Sequence, residues 1–209
     1  MVTTMTIMTR RRGNSRANKA AESGFSLIEV VISMTVLTVG LVSLLGVFAL
    51  AMSSTQTSQQ DMIAKQLANE AYESVVTARN TSQMNWDQIN NVNTVSPFCQ
   101  NTSPCGIFLV GMQPIDNAGV DGIFGTADDA AAGEEQLQDP GPDGVFQTAD
   151  DTFIPLTGYQ RQITISPLYD SGNNLISSLR SITITVQYTT AQAKTQKTYV
   201  LNSFISQFQ

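Results

Sequence analysis

Gly24-Phe25-Ser26-Leu27-Ile28-Glu29-Val30 joins two chemically opposite segments. Ahead of it stand Arg10, Arg11, Arg12, Arg16 and Lys19; behind it, from Val30 to Gln60, no residue is charged. One carboxylate, Glu29, lies just inside the apolar start. A secretory signal places its apolar segment before a small-residue cleavage site. Here Gly24 precedes the apolar segment, so a cut after it leaves the hydrophobic helix on the mature chain. Phe25 to Met52 is long enough to cross a bilayer, which takes about 20 residues at roughly 1.5 Å rise. The arginines on its N-terminal side predict that this end stays cytoplasmic and that everything after the helix is exported.

The order of basic leader, Gly24, Phe25, three residues, Glu29 and apolar helix resembles the prepilin leader of type IV pilins and type II secretion pseudopilins. The resemblance implies processing between Gly24 and Phe25 by a prepilin peptidase and methylation of the new Phe25 amine. It also implies that Glu29 pairs with that amine on a neighbouring subunit during assembly. Elementary electrostatics supports the pairing. A carboxylate near the end of an apolar helix is costly in lipid and needs a partner, and a buried cationic amine supplies one. The alternative is that Glu29 snorkels to the interface.

The helical signal continues past the membrane portion. No proline occurs between Phe25 and Val95. Met62, Ile63, Gln66, Leu67, Ala68, Ala71, Tyr72, Val75 and Val76 recur at spacings of three and four, which predicts an amphipathic face. The expected organisation is a leader over 1–24, a helix over 25–80 and an exported head over 81–209. Within the helix, 25–52 is read as transmembrane and 53–80 as packed on the head. The Gly40-Leu41-Val42 step and the Ala64, Leu67, Ala68 run look most like the minor-pilin V and pseudopilin I group.

In the head, Cys99 and Cys105 are the only cysteines. Two cysteines this close on an exported chain predict one small disulfide. Strand alternation appears over Gln160–Ser166 through Arg161, Ile163 and Ile165, and over Ser181–Tyr188 through Ile182, Ile184, Val186 and Tyr188. Lys197–Phe208 is a third strand candidate and Gly106–Met112 an edge. Asp170–Asn174 and Thr189–Gln196 read as turns. Such a sheet needs a cover for its apolar face, which the exposed half of the long helix provides. The expected fold class is therefore α+β and pilin-like: a long N-terminal transmembrane and stalk helix packed on a small antiparallel β-sheet.

Between Asp116 and Asp151 lies an acidic repeat. Asp121-Gly-Ile-Phe-Gly-Thr-Ala-Asp-Asp129 returns as Asp143-Gly-Val-Phe-Gln-Thr-Ala-Asp-Asp151. After Gly24 the chain holds 16 acids and 6 bases, a net of −10, and 10 of the acids fall in this segment with no Lys or Arg. Uncompensated carboxylates invite a hard cation. Numbered from Asn117 or Asp139 as the first ligand, each loop puts side-chain oxygens at Asn117, Asp121 and Asp128, or at Asp139, Asp143 and Asp150, with the Ile123 or Val145 carbonyl as a further ligand. That spacing resembles the calcium loop of EF-hands, although the third position is glycine and flanking helices are missing. It looks closer to the aspartate- and glycine-rich calcium repeats of exported proteins. Up to two Ca2+ ions are expected, with Asp129 and Asp151 as extra ligands and Phe124 and Phe146 as packing anchors between the repeats. The alternative is an acidic loop kept soluble by its charge.

The chain has no histidine, and no nucleophile–base arrangement is legible, so an enzyme is not expected. The acidic head lacks the basic patch that direct nucleic-acid capture requires. The expected function is a non-catalytic minor pilin-like subunit of a type IV pilus. A type II secretion pseudopilin and a membrane-anchored calcium-binding adhesive module are the alternatives. Implied partners are other pilin or pseudopilin subunits, the prepilin peptidase, the inner-membrane assembly platform and the membrane itself.

Overall fold

The computed structural model describes residues 24–101, 103–190 and 194–208. The basic leader lies outside the described residues, as does part of the expected Thr189–Gln196 turn. The chain opens into helix α1, Leu27–Asn80. The Ser26 carbonyl accepts the Glu29 and Val30 amides at 3.0 and 3.2 Å, which starts the helical ladder. In the apolar portion, Ser33, Thr35 and Ser43 each donate their hydroxyl to the carbonyl four residues back. With these polar groups satisfied internally, the segment meets the condition for residence in hydrocarbon. By length and composition α1 is able to cross a membrane, and the same features suit a cleaved leader or signal.

α1 ends at a specific local geometry. Ser82 takes a positive φ of 59°, its amide bonds the Arg79 carbonyl, and the Gln83 amide reaches back to Ala78 at 2.9 Å. This crossed pair satisfies the last helical carbonyls and stops the helix.

The compact unit begins at Ala49. It holds β1 (Gln113–Pro114), α2 (Asp129–Ala132), β2 (Gln136–Asp139), β3 (Thr152–Pro155), β4 (Tyr159–Tyr169), β5 (Leu175–Thr189) and β6 (Gln196–Ser206). One sheet runs β1-β4-β5-β6 and a separate hairpin pairs β2 with β3; every pairing is antiparallel. The two long strands pair in register, Ile163 opposite Ile184 and Ile165 opposite Ile182. Alternation sends these side chains to the face covered by α1, while Gln162, Thr164, Thr183 and Thr185 face away. A long apolar helix packed on a small antiparallel sheet is the pilin-like α+β architecture.

Three local expectations need correction. β5 begins at Leu175, six positions before the expected Ser181. Gly106–Met112 forms no edge strand; the edge is Gln113–Pro114. Gly106 and Gly111 have φ of 96° and 90°, and a Cβ on Gly106 would come 2.1 Å from the Asn91 carbonyl oxygen. Backbone turned this way makes isolated bridges, not a ladder. On α1, Met62 and Gln66 face solvent. The buried stripe keeps the expected Leu67, Ala68, Ala71 and Val75 and adds Ala64 and Ala78. Small side chains win these positions because they let the helix backbone approach the sheet closely.

This contact yields a stability test. Ala71 is fully buried, so Ala71→Leu overpacks the helix–sheet interface at a cost of about 1–3 kcal/mol. We expect a melting temperature lower by roughly 2–4 °C per kcal/mol, measured by circular dichroism on the full chain in detergent. An unchanged melting temperature would show that the interface is loose at this position.

Candidate functional site

The N-terminal junction presents an unpartnered apolar surface. Phe25, Leu27 and Ile28 are exposed, as are Val31, Met34, Leu37 and the apolar residues onward to Met52. A continuous apolar surface of this extent marks contact with a membrane or another protein. Glu29 sits in the first turn of α1, where the helix N-terminus favours negative charge. Gly24 precedes the helix with open space around it.

The two acidic repeats fold alike. In the first, the Asp121 carboxylate accepts the Ile123 amide at 2.8 Å, and Asp129 accepts the Gly125 and Thr126 amides at 2.6 and 3.2 Å. In the second, Asp143 accepts Val145 at 2.8 Å, and Asp151 accepts Gln147 and Thr148 at 2.6 and 3.3 Å. Thr126 donates its hydroxyl to Asp128, and Thr148 to Asp150, at 2.6 and 2.7 Å. Those hydroxyls hold the Asp128 and Asp150 pKa values below the usual carboxylate range.

Their surroundings differ. Oxygens of Asp121, Asp128 and Asp129 converge within 4.8 Å, a hard-oxygen set suited to a divalent cation. Among the described residues, Asp139, Asp143, Asp150 and Asp151 form no such group. Asn117 lies outside the first group, its amide donating to the Gly133 and Glu134 carbonyls. The Ile123 and Val145 carbonyls accept the Thr126 and Thr148 hydroxyls. Asp129 is buried and both its oxygens take loop donors, so it clamps the loop; desolvation raises its pKa against those donors.

The expected anchoring of one repeat on the other by phenylalanines is corrected here. Phe124 is 8 % exposed and packs in the core, whereas Phe146 is 58 % exposed. The second repeat forms the tip of the β2–β3 hairpin and has no core beneath it.

The structure also brings together charged residues that the repeat reading did not single out. Arg161, an inward position of β4, donates to the Leu67 carbonyl of α1 at 3.2 Å and lies 4.2 Å over the Phe124 ring. Burial lowers its pKa, opposed by the charges of Glu135, Glu70, Asp129 and Asp116. Glu135 hydrogen-bonds Glu70 and is pushed up to about 7, first by desolvation and then by the Glu70 charge, with Arg161 opposing. Its Oε2 is buried with no hydrogen-bond partner. The sequence signal was an arginine in the inward alternation of an apolar strand, where a buried charge needs partners.

Arg180 occupies the matching role on β5. It donates to the Trp86, Ile89 and Phe98 carbonyls and stacks 4.2 Å over the Trp86 ring. Cys99 and Cys105 are joined in a disulfide. Asp87 accepts the Gln100 and Asn101 amides at 2.7 and 2.6 Å beside it. The loop is therefore held covalently and by a carboxylate that pins its backbone.

The Glu135 environment fixes a pH dependence. Its folded pKa lies above the ordinary value of 4.5, so its contribution is fully present below about pH 4.5 and is lost as pH rises through about 7. Glu135→Gln removes that titration. We expect the melting temperature of the variant relative to wild type to climb between pH 4.5 and 8; a difference flat across that range would separate Glu135 from Glu70.

A family model, the prokaryotic N-terminal methylation motif, matches residues 19–45. Neither a curated protein nor a solved structure matches the chain. The matched motif spans the Gly24–Glu29 junction and the first part of α1. It points to membership of the type IV pilin and pseudopilin superfamily without separating its subtypes.

Proposed function

We propose that the chain is a non-catalytic minor-pilin-like subunit of a type IV pilus, held first in the inner membrane with its head exported. The observation that carries this reading is the methylation motif over 19–45 on a helix whose apolar residues to Met52 are exposed. In this reading the prepilin peptidase removes a leader of 1–24 and the assembly platform inserts the helix of 25–80 into a filament. The head of 81–209 then lies outside. Glu29 is the partner of a neighbouring Phe25 amine. A type II secretion pseudopilin uses the same leader and helix and stands as the alternative.

Glu29→Ala tests assembly. Removing a carboxylate makes insertion easier, whereas loss of the countercharge leaves a buried amine unpaired, a cost of about 3–5 kcal/mol for a buried pair. We expect normal membrane levels and at least about tenfold less variant in the sheared filament fraction, since 1.4 kcal/mol is tenfold. Mass spectrometry of the wild-type filament protein should find a methylated Phe25 terminus. Equal incorporation of the variant, or a mature chain starting at Met1, would sink the reading.

A calcium role for the acidic loops is supported by the convergence of Asp121, Asp128 and Asp129. In this reading the first ion is bound by the first repeat. Calorimetric titration of the full chain in detergent should give a saturable calcium heat near 10⁻⁴–10⁻³ M, on the order of extracellular calcium modules. Magnesium should substitute poorly, and an Asp121→Asn, Asp128→Asn variant should lose the heat. No saturable heat, with the melting temperature unmoved by calcium, would leave the segment as an acidic loop.

A further inference from the structure

A cavity of about 340 Å³ opens between the disulfide loop and the adjoining ends of β4 and β5. Its walls include Val95, Pro97 and Phe98 from the loop, Ile165 and Ile176 from the sheet, and Arg180. We propose that this cavity binds a monocarboxylic acid with an apolar body, its carboxylate meeting the Arg180 guanidinium.

Charge and shape both lead to that ligand. Among the described residues, no aspartate or glutamate lines the cavity, and Arg180 is the one charged residue on its wall, in a head whose net charge is strongly negative. Arg180 is only 5 % exposed, and its hydrogen-bond acceptors, the Trp86, Ile89 and Phe98 carbonyls, are neutral. A guanidinium carries more N–H donors than these three carbonyls occupy. Asp87 acts on Arg180 through space and is not part of the wall. Burial lowers the Arg180 pKa to about 10, so it stays protonated at neutral pH. A planar fork of this kind matches a carboxylate. One cation compensates one negative charge, which disfavours a dianionic phosphate; Asn90, Asn93, Thr94, Gln100 and Ser177 share the wall with the apolar residues. The volume falls in the ordinary range for small-molecule sites, about 300–1,000 Å³.

The enclosure is built before any ligand arrives. The Cys99–Cys105 disulfide and the Asp87 bonds to Gln100 and Asn101 fix the loop. The Trp86 indole donates to the Ser177 carbonyl on β5 at 2.9 Å. Preorganisation of this kind lowers the ordering cost of binding.

Trp86 is the single tryptophan of the chain and stacks on Arg180, so its fluorescence reports directly on the site. The full chain in lipid nanodiscs is titrated with N-acetylphenylalanine and, separately, with N-acetylphenylalanine amide, which keeps the apolar body and removes the charge. We expect a saturable fluorescence change with the acid and about 10–100-fold weaker binding of the amide, the range for a hydrogen bond to a charged group. Replacing Arg180 would disturb the three carbonyls it holds, so the deciding variant is at the rim. Val95 is 56 % exposed. Val95→Glu introduces a competing carboxylate and should weaken the acid at least about tenfold relative to Val95→Gln, which changes the same wall position without adding charge. No saturable change with the acid, equal binding of the amide, or equal binding by Val95→Glu and Val95→Gln each overturns the proposal. None of these outcomes bears on filament assembly, which the Glu29→Ala comparison decides separately.

Discussion

The Arg161 guanidinium is the contact on which the head depends. A buried cation in an apolar sheet is tolerable only if its donors and its charge are both answered. Here the Leu67 carbonyl of α1 takes a donor, the Phe124 ring covers one face, and Glu135, Glu70, Asp129 and Asp116 surround it with negative charge. One side chain therefore ties together the helix, the sheet and the acidic segment. That segment contains no Lys or Arg of its own, so its internal countercharge comes from β4.

This arrangement gives the two acidic repeats different fates. Both use the same Asx and threonine bonds, so their local geometry is nearly the same. The first sits beside Arg161, with Phe124 in the core and the Phe124 amide reaching the Ser74 hydroxyl of α1 at 3.4 Å. The second projects on a two-stranded hairpin, where Phe146, Phe153 and Ile154 are exposed. Among the described residues, carboxylates converge in the first repeat, the one packed against the core.

Arg180 repeats the device on the neighbouring strand and draws the Trp86 segment and the disulfide loop over the sheet. The two arginines divide the work. Arg161 anchors the acidic segment near the middle of the head's part of α1, and Arg180 anchors the loop that follows α1. Each sits where strand alternation would otherwise place an aliphatic residue, and each donates to backbone carbonyls of the segment packed over it.

Much of this was legible in residue order alone. The Gly24–Glu29 junction, the uncharged run behind it and the proline-free stretch to Val95 determined one long helix, because local propensity and hydrophobicity act over neighbouring residues. The isoleucine alternation around Ile163 and Ile182 determined the central strands for the same reason. Cys99 and Cys105 were close enough in sequence to predict their bond. Tertiary structure decided what depends on distant partners. It added Ala64 and Ala78 to the buried stripe of α1 and left Met62 and Gln66 in solvent, set Phe124 apart from Phe146, and gave Glu135 its raised pKa beside Glu70. Nothing local distinguishes these residues from their neighbours or repeat mates, because burial and charge pairing are set by which segments meet.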